Sequence, residues 1–68
     1  MKINVFIERT NINQTVALDE NSTVLDLLKK LKLNSVTVIA IRNGGVITEK
    51  EKLKDNDKLD VFSVISGG

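Results

Sequence analysis

Leu59-Asp60-Val61-Phe62-Ser63-Val64-Ile65 is an apolar, strand-like run that leads straight into Ser66-Gly67-Gly68. Asp55-Asn56-Asp57, just ahead of it, has the residue types of a tight turn. Three such side chains also raise calcium, but the glycine and closing glutamate of a calcium loop are missing, so the turn is the expected reading. The place given to this last strand decides the fold. For it and the first strand both to be fully paired, the two must lie side by side in the middle of one sheet.

Working outward, Lys2 to Glu8 alternate, with Ile3, Val5 and Ile7 on one face and Lys2, Asn4, Phe6 and Glu8 on the other. That is a half-buried strand with Phe6 on its polar side. Arg9-Thr10-Asn11 is a polar turn, and a second strand runs from about Ile12 to Leu18 with Val16 and Leu18 inward. Thr23 suits a helix N-cap with Asp26 at N3, and Val24, Leu27, Leu28 and Leu31 form one apolar stripe. Lys29, Lys30 and Lys32 crowd the end of the helix that favours cations, as a solvated face, and Asn34 is placed to close it. Val36 to Arg42 is rich in β-branched residues and reads as a third strand stopped by Asn43-Gly44-Gly45, with Val46-Ile47 as a short return strand. Glu49 to Lys58 is charged and loop-like, with Leu53 as a tucked anchor.

One amphipathic helix covers one face of one mixed sheet, with the helix as the crossover between parallel neighbours. The expected fold is therefore α+β, a β-grasp (ubiquitin-like) domain whose mixed four- to five-stranded sheet packs on one helix. Residues 1–64 make up the domain and 65–68 a flexible Gly-Gly tail.

Composition narrows the function classes. The 68 residues suffice for one core. Cysteine and histidine are both absent, which removes the catalytic thiol, the thiolate metal site and the commonest general base. The chain is expected to be no enzyme, to bind no cofactor or metal, and to react through a partner's machinery. Ten basic and nine acidic residues are interspersed, for a net charge of +1. Without a basic stripe and interleaved aromatics, direct nucleic-acid binding is not indicated. No apolar run is long enough to span a bilayer, and no signal-peptide pattern leads the chain. A soluble, cytoplasmic protein, monomeric when free, is expected.

With Leu59 and Val61 inward, Asp60, Phe62 and Val64 point away from the helix, joined by Phe6 on the neighbouring strand. Inward Ile39 and Ile41 put Val38 and Ala40 outward too. Phe6, Val38, Ala40, Phe62 and Val64 are thus expected to form one apolar patch. Scattered surface apolars are ordinary, but both phenylalanines of the chain fall on this side. A contiguous apolar patch on a small domain usually marks a docking site. The last four residues after Val64 reach about 13–14 Å if extended. A partner gripping the patch can therefore draw the terminal carboxylate into a distant active site. Gly67 and Gly68 lack a Cβ and can thread a narrow channel. A free carboxylate is a poor electrophile at neutral pH and needs activation, for which adenylation by ATP is the usual route.

The C-terminal Val61-Phe62-Ser63-Val64-Ile65-Ser66-Gly67-Gly68 resembles the signature of the ubiquitin-like sulfur carriers, the ThiS and MoaD families and the archaeal small modifier proteins. Asn43-Gly44 after the third strand and Asp57 before the last fit the same pattern. The resemblance implies that a ubiquitin-activating-type enzyme, using ATP and Mg²⁺, adenylates the terminal glycine. Sulfur transfer then converts it to a thiocarboxylate that serves a sulfur-accepting synthase. Gly68 would be the reactive residue, Ser66 and Gly67 the tail, and Phe62 part of the docking face. Acceptors in these families span thiamine thiazole, molybdopterin and transfer RNA. Many thiazole-forming carriers have Pro-Arg soon after the fourth strand begins, whereas here Val46-Ile47 is followed by Thr48-Glu49. Two other readings are a protein modifier joined through Gly68 to lysines, and a plain interaction domain with an incidental Gly-Gly.

Overall fold

The computed structural model describes residues 1–63. Its elements are β1 (Lys2–Ile7), β2 (Ile12–Ala17), α1 (Val24–Lys30), β3 (Val38–Arg42), β4 (Gly45–Ile47) and β5 (Lys58–Ser63). They form one five-stranded sheet in the order β2-β1-β5-β3-β4. β5 runs parallel to β1 and antiparallel to β3, while the β1–β2 and β3–β4 pairs are antiparallel. The last strand is thus the middle one, beside the first, with α1 against one face. This is the β-grasp fold. The expected domain edge at residue 64, the tail 65–68, and Val64, Ser66, Gly67 and Gly68 among the expected site residues lie outside the described residues.

Alternation in β1 and β5 places the core. Ile3 and Val5 in β1, and Leu59 and Val61 in β5, are buried against Val24, Leu27 and Leu28 of α1. Val16 and Ala40 extend this layer over β2 and β3, and Leu53 plugs it from the loop before β5.

α1 begins where local chemistry dictates. Thr23 Oγ1 accepts from the Asp26 amide at 3.4 Å, and the Thr23 amide donates to Asp26 Oδ2 at 2.9 Å. The next two free amides, of Val24 and Leu25, donate to the carbonyls of Glu51 and Glu49 at 3.0 and 2.9 Å. The charged loop ahead of β5 is therefore the seat of the helix start, and the Leu53 amide closes the join by donating to the Ser22 carbonyl. The helix ends earlier than Asn34. Lys32 takes φ 60°, the Lys32 amide donates to Lys29 O at 3.0 Å and the Leu33 amide to Leu28 O at 2.8 Å. That pair of bonds is a Schellman closure. Asn34 instead holds the next turn, its Oδ1 accepting from the Val36 amide at 2.9 Å. Lys29, Lys30 and Lys32 are all exposed, and Lys30 Nζ also donates to the Ala17 carbonyl at 2.8 Å, which ties α1 to β2.

Asp55, Asn56 and Asp57 act as a turn. Asp55 Oδ1 accepts from the Lys2 amide at 2.7 Å, and Asp57 Oδ2 accepts from the Lys54 amide at 2.8 Å and from Arg42 at 3.1 Å. Asn43 and Gly44 both take positive φ between the paired residues Arg42 and Gly45, the two-residue hairpin loop that an Asn-Gly pair favours.

One expected face is corrected. Ala40 is 4% exposed and sits in the core, and Val38 packs against it; neither belongs to the open face. The cause is register. In an antiparallel pair, residues directly opposite share a face, and Ala40 lies opposite Val61 while Val38 lies opposite Ser63. Ile39 and Ile41 are the residues that face away from α1.

Candidate functional site

The face of the sheet turned away from α1 carries the apolar patch. Phe6 in β1 stands level with Asp60 in β5, Asp60 lies opposite Ile41 in β3, and Ile41 lies opposite Val46 in β4. On the other side Phe6 lies opposite Asn13 in β2. One row thus crosses all five strands as Asn13, Phe6, Asp60, Ile41 and Val46, roughly 19 Å at about 4.8 Å per strand. The next row toward the end of β5 pairs Phe62 with Ile39. Phe6, Ile39, Ile41 and Phe62 are half-buried, and Val46 is 71% exposed.

Phe62, on the middle strand, follows Asp60 by two residues on the same face, so it lies between the β1 and β3 sides while Asp60 separates Phe6 from Ile41. At the opposite end of the face the row turns polar. Thr15, Asn4 and Lys58 stand level on β2, β1 and β5, and Thr15 Oγ1 donates to Asn4 Oδ1 at 3.2 Å. The apolar half of the face is the half nearer the end of β5, from which the chain continues toward Gly68.

Of the residues expected on this face, the structure brings Phe6 and Phe62 together with Ile39, Ile41 and Val46, and removes Val38 and Ala40. Ile39, Ile41 and Val46 escaped the sequence reading. Val46 carried a usable signal, because neighbours in a strand point to opposite faces and Val46 and Ile47 therefore cannot both face α1.

Among the described residues no group of three or more His, Cys, Asp or Glu side chains could hold a metal ion. Nor is any helix among them long and apolar enough to cross a membrane. What this arrangement offers chemically is a largely apolar, two-row surface on strands, with the Asp60 carboxylate in the middle of one row.

Comparison with known proteins adds the lineage. The ThiS family matches the chain over residues 3–68. The chain belongs to the ThiS family. The sulfur carrier protein TtuB of Thermus thermophilus is 36% identical to this ThiS-family chain over 53 residues, covering 78% of this chain and 82% of that one. In solved structures, SAMP1 from Haloferax volcanii matches it with a TM-score of 0.78 at 20% identity, covering 100% of both chains. The ubiquitin of Caldiarchaeum subterraneum gives a TM-score of 0.77 at 22% identity, covering 100% of this chain and 98% of that one. Likenesses at this identity speak for the fold, and the β-grasp assignment agrees with both.

Proposed function

We propose that this ThiS-family chain is a sulfur carrier and a substrate for a partner enzyme, with the Gly68 carboxylate as its reactive group. The family match over residues 3–68 carries the reading, and the TtuB likeness supports it. A ubiquitin-activating-type enzyme, with its own ATP and Mg²⁺, docks on the Phe6, Ile39, Ile41 and Phe62 face. A Gly68 carboxylate oxygen attacks the α-phosphorus of ATP and pyrophosphate leaves. Sulfide (HS⁻) delivered by the partner machinery then attacks the activated carbonyl, the new C–S bond forms as the C–O bond to AMP breaks, AMP leaves, and loss of the S–H proton gives a thiocarboxylate that serves a sulfur-accepting synthase. Glycine suits this step because no side chain crowds the carbonyl. Docking on the strands supplies affinity, which offsets the entropy lost when a glycine tail is ordered.

The test is intact-mass measurement of the chain after incubation with its activating enzyme, ATP and a sulfur source. A replacement of one oxygen by sulfur at the C-terminus is expected. Covalent ladders on a denaturing blot, without any thiocarboxylate, would instead assign the chain as a protein modifier. Full biological activity after deletion of Gly68 would reduce it to an interaction domain.

A further inference from the structure

We infer that Asp60 is the polar centre of the docking face and that the partner meets it with a cation, an arginine or lysine side chain of the activating enzyme. This rests on the docking reading above and deepens it: the apolar rows hold the partner, and one carboxylate chooses which partner is held.

Asp60 occupies the middle strand of five. Phe6 stands level with it on one side and Ile41 opposite it on the other, while Phe62 follows two residues along on the same face. It is half-buried, and among the described residues its carboxylate makes no hydrogen bond and no ion pair. Lys58, two residues back on the same face, is exposed and does not pair with it. Among the described residues, therefore, nothing gives this charge a task. Aspartate is among the residues least suited to a strand interior, and in a central strand between apolar neighbours it is a local cost.

Docking changes the balance. A partner that covers Phe6, Ile41 and Phe62 must also cover the carboxylate between them, and a carboxylate stripped of water without a counter-charge is strongly penalised. A complementary apolar surface without a cation is therefore rejected, and one with a cation at that point is accepted. Arginine suits the place best, because its planar fork can meet both carboxylate oxygens. Asp60 is the only acidic residue among the described strand positions that face away from α1. The charge complementarity required of the partner is thus localised to one point.

The test uses the full chain and the purified ubiquitin-activating-type enzyme of the same organism. Kd is measured by calorimetry at low and high salt for the native chain, Asp60→Asn and Asp60→Lys, with Tm alongside. Asp60→Asn is expected to weaken binding about tenfold or more and to remove most of its salt dependence. Asp60→Lys is expected to weaken it by about a hundredfold. Tm should stay level or rise, which separates these losses from unfolding. Native affinity in Asp60→Asn overturns the inference. So does native affinity accompanied by self-association of the variant, because Asp60 would then be a charge that guards the sheet face against other copies. Phe62→Asp and Ile41→Asp keep the two readings apart. If both bind as the native chain does, the docking face itself is wrong; if they fail while Asp60→Asn binds normally, only the role of Asp60 is wrong.

Discussion

Among the described residues five non-glycine positions hold positive φ, and four of them are asparagines: Asn11, Asn21, Asn43 and Asn56. Asparagine tolerates this conformation because its short amide can bond to the nearby backbone. The fifth is Lys32, at φ 60° in the Schellman closure of α1, with a Cβ that crowds the following carbonyl. A left-handed non-glycine residue costs about 1–2 kcal/mol. Glycine avoids that cost but gives up roughly 0.5–1 kcal/mol of unfolded-chain entropy. Lys32→Gly is therefore expected to stabilise the domain by about 0.5–1 kcal/mol, a rise of several degrees in Tm for so small a chain. Calorimetric melts of the two proteins check it. A fall in Tm would mean that the Lys32 side chain contributes more than its backbone costs. Asn34 looked the better helix terminator because residue type was the only guide, and the chain closed two residues sooner on a residue type less suited to that conformation.

At the scale of elements, legibility follows how local the deciding interaction is. The start of α1 was readable because Thr23 and Asp26 satisfy one another within one turn. Removing that reciprocity should be felt: Thr23→Ala is expected to cost about 1 kcal/mol, measured by urea unfolding with an unchanged m-value. A much smaller loss would show that the Glu49 and Glu51 carbonyls, which receive the next two amides, suffice to cap the helix. The faces of β1 and β5 were readable from alternation, which put Phe6 and Phe62 correctly on the open side. β3 was not. Val38-Ile39-Ala40-Ile41 has no polar residue to mark a face, and a shift of one residue exchanges both faces. Size settles it only in the presence of the partner strand, where Ala40 lies opposite buried Val61. Arg42 shares the parity of Val38 and Ala40, and a charge on that parity favours the opposite assignment. In the fold it lies at the sheet's end, reaching Asp57 at 3.1 Å and Glu51 at 3.3 Å. The face turned away from α1 was therefore legible on the two strands with alternation and illegible on the one strand without it.

At the scale of the whole molecule, the proposed function divides the chain into a part that holds and a part that reacts, and the two should fail separately. A 68-residue domain buries only about 60% of its unfolded surface, so core damage alone can abolish any activity. Leu59→Ala in the fully buried row should cost about 2–5 kcal/mol. Phe62, half-buried on the open face, should be far cheaper to replace. Phe62→Asp is accordingly expected to keep a folded spectrum while losing affinity for the activating enzyme. A chain extended by one residue after Gly68 should do the reverse, keeping its face and its affinity but presenting no terminal glycine carboxylate to ATP. It should then inhibit adenylation of the native chain competitively, with a Ki close to the native Kd, whereas Phe62→Asp should neither be adenylated efficiently nor inhibit. Pyrophosphate-exchange assays with each variant, alone and mixed with the native chain, read both outcomes. If the extended chain fails to inhibit, affinity comes from the tail, and the sheet face is not what the partner holds.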